Sequence, residues 1–165
     1  MRSLTLITGA VDAGKTMTLI GLFNSKPRQS AEGFATIKRF SEQDGSFIGY
    51  DLRILSTGEE ISFIWLKEKY HDEFDDHFDF NRFVFAQSGF DIGTRIISEA
   101  VLDAAVRDLF IDEIGPLEIM GKGFSNALRN ALDSDKNVTI TINEKNVDAF
   151  VRCYQIDRYQ IVACG

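Results

Sequence analysis

The octapeptide Gly9-Ala10-Val11-Asp12-Ala13-Gly14-Lys15-Thr16 constrains this chain more than any other stretch. It reads G-x-x-x-x-G-K-[ST], the pattern of a loop that cradles phosphate oxygens. Its flanks suit that role. The apolar run Leu4-Thr5-Leu6-Ile7 precedes it and reads as a buried strand, while Met17-Thr18-Leu19-Ile20-Gly21-Leu22-Phe23 follows and reads as a helix. A strand, a tight loop and a helix N-terminus together aim backbone N–H groups and a favourable dipole at an anion. The nucleotide-binding set expected here is Gly9, Ala10, Val11, Asp12, Ala13, Gly14, Lys15, Thr16 and Met17. Lys15 is expected to reach the β- and γ-phosphates as a catalytic cation, and the Thr16 hydroxyl to ligate Mg²⁺. Asp12 stands where many such loops carry glycine. Asp tolerates left-handed backbone angles, so the loop geometry survives. Its charge beside phosphates calls for a reason: Asp12 tightens the loop through its own turn, or it holds down affinity until Mg²⁺ arrives.

The rest of the chain alternates in a way that builds a sheet around this loop. Lys26-Pro27 ends the first helix, because proline disfavours helix in the residue before it. Residues 31–66 read as an antiparallel hairpin insert, with strands over 33–39, 47–55 and 61–66 and turn signals at Gln43-Asp44-Gly45-Ser46 and Thr57-Gly58-Glu59-Glu60. Residues 67–81 are acidic and aromatic, and their two histidines match no metal-ligand spacing, so a solvated loop is expected. Strands are then expected at 82–86, 109–111, 137–142 and 159–163, and helices from Ser88 to about Ala105, over 123–132 and over 147–154. Alternating strands and helices imply a parallel sheet covered on both faces. The expected architecture is a single α/β domain over residues 1–165.

A phosphate cradle is only half of an active site. Leu109-Phe110-Ile111-Asp112-Glu113 supplies the other half: three apolar residues, then two carboxylates at a strand's C-terminal end. In an open α/β sheet ligands bind there. Asp112 is expected to hold Mg²⁺ through water, and Glu113 to orient or deprotonate an attacking water.

Several segments together resemble a known family. They are the loop from Gly9 to Thr16, Gly33-Phe34-Ala35-Thr36, Gly49-Tyr50, Leu55-Ser56-Thr57-Gly58 and above all Ile111-Asp112-Glu113-Ile114-Gly115-Pro116-Leu117-Glu118. They resemble the small nucleoside-triphosphatases of the THEP type, which include the human cancer-related nucleoside-triphosphatase, over nearly the whole chain. The resemblance implies a RecA-like P-loop sheet with a β-hairpin insert. It also implies Mg²⁺-dependent hydrolysis of ATP, GTP and other nucleoside triphosphates, with loose base choice. Lys15, Thr16, Asp112 and Glu113 match the family's functional positions, and Glu118 matches a second acid whose job the residues do not reveal. The chain departs from the family at Ala35, at Ile37-Lys38-Arg39, and in lacking an Asn-Arg-Asp segment after the last strand.

Other readings have their own signals. Val11-Asp12 before Gly14 and Asp112-Glu113-Ile114-Gly115 resemble GTPase motifs, but Asn143-Glu144-Lys145-Asn146 has the guanine-reading residues in the wrong order. A small-molecule or nucleotide kinase would use Lys38, Arg39 and Arg53 of the hairpin as a lid, and a nucleotide-gated binding module would use the hairpin as a contact surface. A cis arginine for the transition state could come from Arg39, Arg53, Arg82 or Arg95. The net charge of −7 argues against a nucleic-acid surface. Two cysteines without metal spacing suit a reducing cytoplasm. No apolar run approaches a membrane span or a secretion signal, so neither a membrane nor a nucleic-acid partner is expected.

Overall fold

A computed structural model describes all residues, Met1–Gly165. In chain order its elements are β1 (Ser3–Gly9), α1 (Lys15–Asn24), β2 (Ala31–Phe40), β3 (Phe47–Ile54), β4 (Glu60–Leu66), β5 (His77–Phe80), β6 (Phe83–Ala86), α2 (Gln87–Leu102), β7 (Asp108–Ile114), α3 (Pro116–Ile119), α4 (Ser125–Asp133), β8 (Asn137–Asn143), α5 (Val147–Cys153) and β9 (Gln160–Ala163). All nine strands join one sheet in the order β5-β6-β4-β3-β2-β7-β8-β1-β9. The half from β2 to β9 is parallel, and the half from β2 to β5 is antiparallel.

The strand β2 belongs to both halves. Its first residues, Ala31 to Phe34, pair in parallel with Asp108 to Ile111 of β7, while Phe34 onward pairs antiparallel with β3. The antiparallel part is larger than the three strands expected, because β5 and β6 extend it to Ala86. Strand β5 lies inside the stretch expected to be a loop. Its residues alternate: His77 and Asp79 are exposed, Phe78 and Phe80 are half-buried. That period of two fits a strand with one face on the core. Phe78 stacks at 5.5 Å from Phe85 and 5.4 Å from Phe90.

Both faces of the parallel half are covered, so its strands are apolar throughout rather than alternating. One face packs Ile7, Ala31, Ala35 and Phe110 against Leu19 of α1. The other packs Leu6, Phe34, Leu109, Ile111 and Ile140 against α2, α4 and α5. Burying a side chain such as Phe34 or Phe110 contributes about 1.5–3 kcal/mol. Helix α2 packs tightly on Phe63 of β4 and on Phe124 ahead of α4, because Gly89 and Gly93 bring no Cβ. A Cβ on Gly89 would fall 2.0 Å from Phe63 Cδ2, and one on Gly93 would fall 2.4 Å from Phe124 Cε1. The helix stops at Leu102, short of the expected end near Ala105, because Asp103 Oδ1 accepts a hydrogen bond from the Ala105 N–H at 2.8 Å and turns the chain. No helix is long and apolar enough to cross a membrane.

Candidate active site

The loop after β1 closes as its residues dictate. Gly14 takes φ 88 at the N-terminus of α1, and Asp12 takes φ 64. Both are left-handed, a region that glycine enters freely and Asp more readily than most residues. No side chain caps α1, so its first-turn N–H groups lack an intrahelical partner and are left for an anion. Gly9 is buried at the end of β1, where a Cβ would lie 2.7 Å from the Cys164 carbonyl oxygen. Lys15 is buried, and its Nζ donates to the Ala10 carbonyl at 2.7 Å. Val11 and Met17 are 71% and 69% exposed at the rim.

Asp12 resolves through a partner on β2. Its Oδ1 lies 2.7 Å from Lys38 Nζ. Both side chains are well exposed, so the pair contributes about 0–1 kcal/mol. It still neutralises the charge that looked misplaced beside phosphates.

Strand β7 carries the acids to the same place. Asp112 is 1% exposed and fully committed. Its Oδ2 accepts from Thr16 Oγ1, from Thr36 N–H and from Thr36 Oγ1, each at 2.9 Å, and its Oδ1 accepts from Thr141 Oγ1 at 2.5 Å. Four donors replace the water that a buried carboxylate loses. At the next residue the ladder with β8 shifts register between Ile111 and Ile114, and Glu113 adopts φ 56. The bulge re-aims its side chain, as bulges beside active sites do. The Glu113 N–H donates to Thr141 Oγ1 at 2.7 Å. One hydroxyl of β8 therefore holds both acids, and sequence reasoning missed it. The signal available was Thr141 itself, a hydroxyl in a buried parallel strand that has to find partners. Thr36 was missed as a site residue too, although its segment was part of the resemblance.

Glu113 stands in a cleft walled by Asp12, Lys15, Tyr50, Asp112 and Glu118. The Glu113 side chain is reached by solvent within the cleft, yet desolvation by the surrounding walls and the Asp112 charge push its carboxyl up to about 7, against the pull of Lys15. Burial also raises Glu118, whose Oε2 accepts from Gly115 N–H at 3.1 Å and whose Oε1 accepts from Phe124 N–H at 3.0 Å. Glu118 thus ties down the chain that follows Glu113 and closes the start of α4.

Thr141→Val is expected to lower the unfolding free energy by about 1–3 kcal/mol, because it strips a donor from buried Asp112 and an acceptor from Glu113. Urea denaturation checks this, with Thr141→Ser expected to recover most of the loss.

The structure brings Lys15, Thr16, Asp112 and Glu113 into one cleft of about 670 Å³, whose lining also includes Val11, Asp12, Gly14 and Met17. Gly9, Ala10 and Ala13 do not line it. The arginines of the hairpin are tied elsewhere. Arg39 reaches Asp51 and Ser62 and lies 5.3 Å from the Trp65 ring, and Arg53 pairs with Glu60. Of the four arginines considered for the transition state, Arg82 alone lines the cleft. Asn143 accepts from Lys145 N–H at 3.0 Å and caps the short turn after β8.

The donor set suits a hard dication. Thr16 offers a hydroxyl and Asp112 a carboxylate 2.9 Å apart, both oxygens of the kind Mg²⁺ takes, and Mg²⁺ keeps several waters and binds through few protein groups. Because Asp112 Oδ2 already has three donors, Asp112 would act on the metal's water shell.

A model of the NTPase family matches residues 5–163. A nucleoside-triphosphatase THEP1 of Thermotoga sp. is 31% identical over 148 residues, covering 88% of this chain and 76% of its own. That of Thermofilum pendens is 29% identical over 140 residues, covering 85% and 73%. The crystal structure of THEP1 from Aquifex aeolicus superposes with TM-score 0.70 at 20% identity, covering 98% of this chain and 89% of that one. The solution structure of a human cancer-related nucleoside triphosphatase gives 0.64 at 18%, covering 98% and 87%. These two structures share the fold of this chain.

Proposed function

This chain belongs to the NTPase family, and from that premise we propose that it hydrolyses nucleoside triphosphates in a Mg²⁺-dependent reaction with loose choice of base. The observation that carries the reading is the convergence of Lys15, Thr16, Asp112 and Glu113 on one cleft. The triphosphate lies along the loop, its oxygens on the free N–H groups of α1. Lys15 exchanges the Ala10 carbonyl for the β- and γ-oxygens. The Thr16 hydroxyl and the Asp112 carboxylate are the groups that would hold the metal. Mg²⁺, when bound, neutralises charge on the β- and γ-oxygens. Glu113, as a carboxylate, orients the attacking water in line with the bond to be broken and takes its proton. Thr36 and Thr141 fix Asp112, and Thr141 fixes the backbone of Glu113.

Phosphate release from ATP, GTP, CTP and UTP tests this, each with Mg²⁺ and with chelator. All four are expected to be hydrolysed at rates within about tenfold of one another, because no base-specific motif was found, and chelation is expected to slow each by about 10²-fold or more. Turnover of GTP alone would favour the GTPase reading. No phosphate from any of them with Mg²⁺ present would overturn the proposal.

A further inference from the structure

The cleft does not end at Glu113. Beyond it the walls are aromatic: Tyr50 of β3, Phe63 of β4, Phe83 and Phe85 of β6, Phe90 of α2 and Phe124 before α4. The rings pack edge to face and tilted, with centroids 4.9 Å apart for Phe63 and Phe90, 4.8 Å for Phe90 and Phe124, and 6.1 Å for Tyr50 and Phe83. Arg82 follows Asn81 in the turn between β5 and β6, lies 5.1 Å from the Phe83 ring and forms no ion pair within 4.0 Å.

The direction of the triphosphate fixes which end of the substrate faces this compartment. Lys15 and the Thr16–Asp112 pair mark the β- and γ-phosphates. Glu113 lines the same cleft as these rings, and its charge bears on Tyr50 of the aromatic wall, so a terminal phosphate held beside Glu113 faces that wall. The nucleoside end then leaves toward the other rim, where Val11 and Met17 are exposed. A water nucleophile needs none of this space. A concave apolar chamber with a few convergent polar groups is the usual form of a small-molecule site. Tyr50, Phe83 and Phe85 are only half-buried and leave ring surface on which a flat aromatic guest can pack.

We propose that this compartment binds a second substrate, a small planar aromatic alcohol, and that the site transfers the terminal phosphoryl group to it. The inference rests on the phosphate and base roles proposed above. The alcohol oxygen attacks the γ-phosphorus and forms the new P–O bond. The bond from that phosphorus to the β,γ-bridging oxygen breaks, and its electron pair leaves with the nucleoside diphosphate. The alcohol proton passes to the Glu113 carboxylate and from there to solvent. The product is a phosphate monoester, and water is the competing acceptor when the compartment is empty.

The test is a partition experiment. The protein is incubated with Mg²⁺ and ATP, and with benzyl alcohol, pyridoxine or naphthalenemethanol at one millimolar-range concentration. Ethanol at the same concentration is the control acceptor. Phosphorus NMR then counts monoester against inorganic phosphate in each tube. At least one of the three aromatic alcohols is expected to capture about tenfold more phosphate than ethanol, since a bound acceptor reacts at a raised effective concentration. Phe83→Ala is expected to lower the ratio of captured to hydrolysed phosphate by about tenfold, as loss of pocket contacts does. That ratio is internal to each tube, so partial loss of folded protein leaves it readable. If ADP forms but none of the three is captured better than ethanol, or if Phe83→Ala leaves the ratio unchanged, this proposal is overturned and the hydrolase reading stands. If no ADP forms, both fall.

Discussion

Glu113→Gln is expected to slow steady-state hydrolysis by about 10²–10⁴-fold, the usual contribution of a general base. Nucleotide affinity is expected to stay within about threefold, because the phosphates are held by the loop and Lys15. The amide keeps the size of the side chain and loses only the ability to take a proton. Single-turnover mixing and equilibrium binding of a fluorescent ATP analogue separate the two effects. Hydrolysis at the wild-type rate would sink the assignment of the base. The pH profile carries the same information. Desolvation first, then the Asp112 charge, raise Glu113 from 4.5 to about 7. The base is active when ionised, so kcat/KM of the wild type, which reports the free enzyme, is expected to fall as pH drops through about 7, and that of the Gln variant to lack that limb. Stability follows by linkage. A carboxyl raised in the folded state binds more protons there than in the unfolded chain across the window from 4.5 to about 7. Stability attributable to this group therefore declines as pH rises through that window. Solvent reaches Glu113 and screens this contribution, so thermal scans of Glu113→Gln and wild type at two pH values are expected to differ only slightly, with the variant gaining on wild type above about pH 7.

Lys15→Ala is expected to reduce hydrolysis by about 10³-fold or more, because it deletes a fixed positive charge aimed at oxygens that gain charge in the transition state. Here the loss reaches binding as well. Lys15 is 6% exposed and spans from α1 across the loop to the Ala10 carbonyl, so alanine leaves both a void and an unpaired acceptor. The Tm increase that Mg²⁺–ATP gives the wild type is expected to vanish. An unchanged increase would show that the phosphates sit elsewhere.

Both variants involve residues that local pattern made visible. The loop motif between an apolar strand and a helix is contiguous, and so is the apolar run that ends in Asp112-Glu113. The order of strands and helices was legible for the same reason. The partners of Asp112 were not. Thr36 and Thr141 lie 76 and 29 residues from it, and a hydroxyl in an apolar strand does not announce which carboxylate it serves. Strand β5 was hidden because its polar outer face, within an acidic stretch, outweighed its phenylalanines in a reading by composition. The aromatic compartment was invisible for a third reason: its rings come from separate elements between Tyr50 and Phe124 and meet only after the antiparallel strands join the sheet. Lys38, which a kinase would place in a lid, offsets Asp12.

The Asp112 carboxylate is where α1, β2, β7 and β8 meet, and their site residues span positions 16 to 141. Breaking any one of these contacts leaves a buried charge under-solvated, so fraying of a single element and an intact phosphate site are incompatible. Nucleotide binding is thereby linked to the whole fold. Ligand at about 100 times its Kd adds about 2.7 kcal/mol to the folded state, and that increment belongs to the global opening reaction. Amide hydrogen exchange is accordingly expected to slow together in all four elements on adding Mg²⁺–ATP, where a loop that merely closed over its ligand would protect only itself.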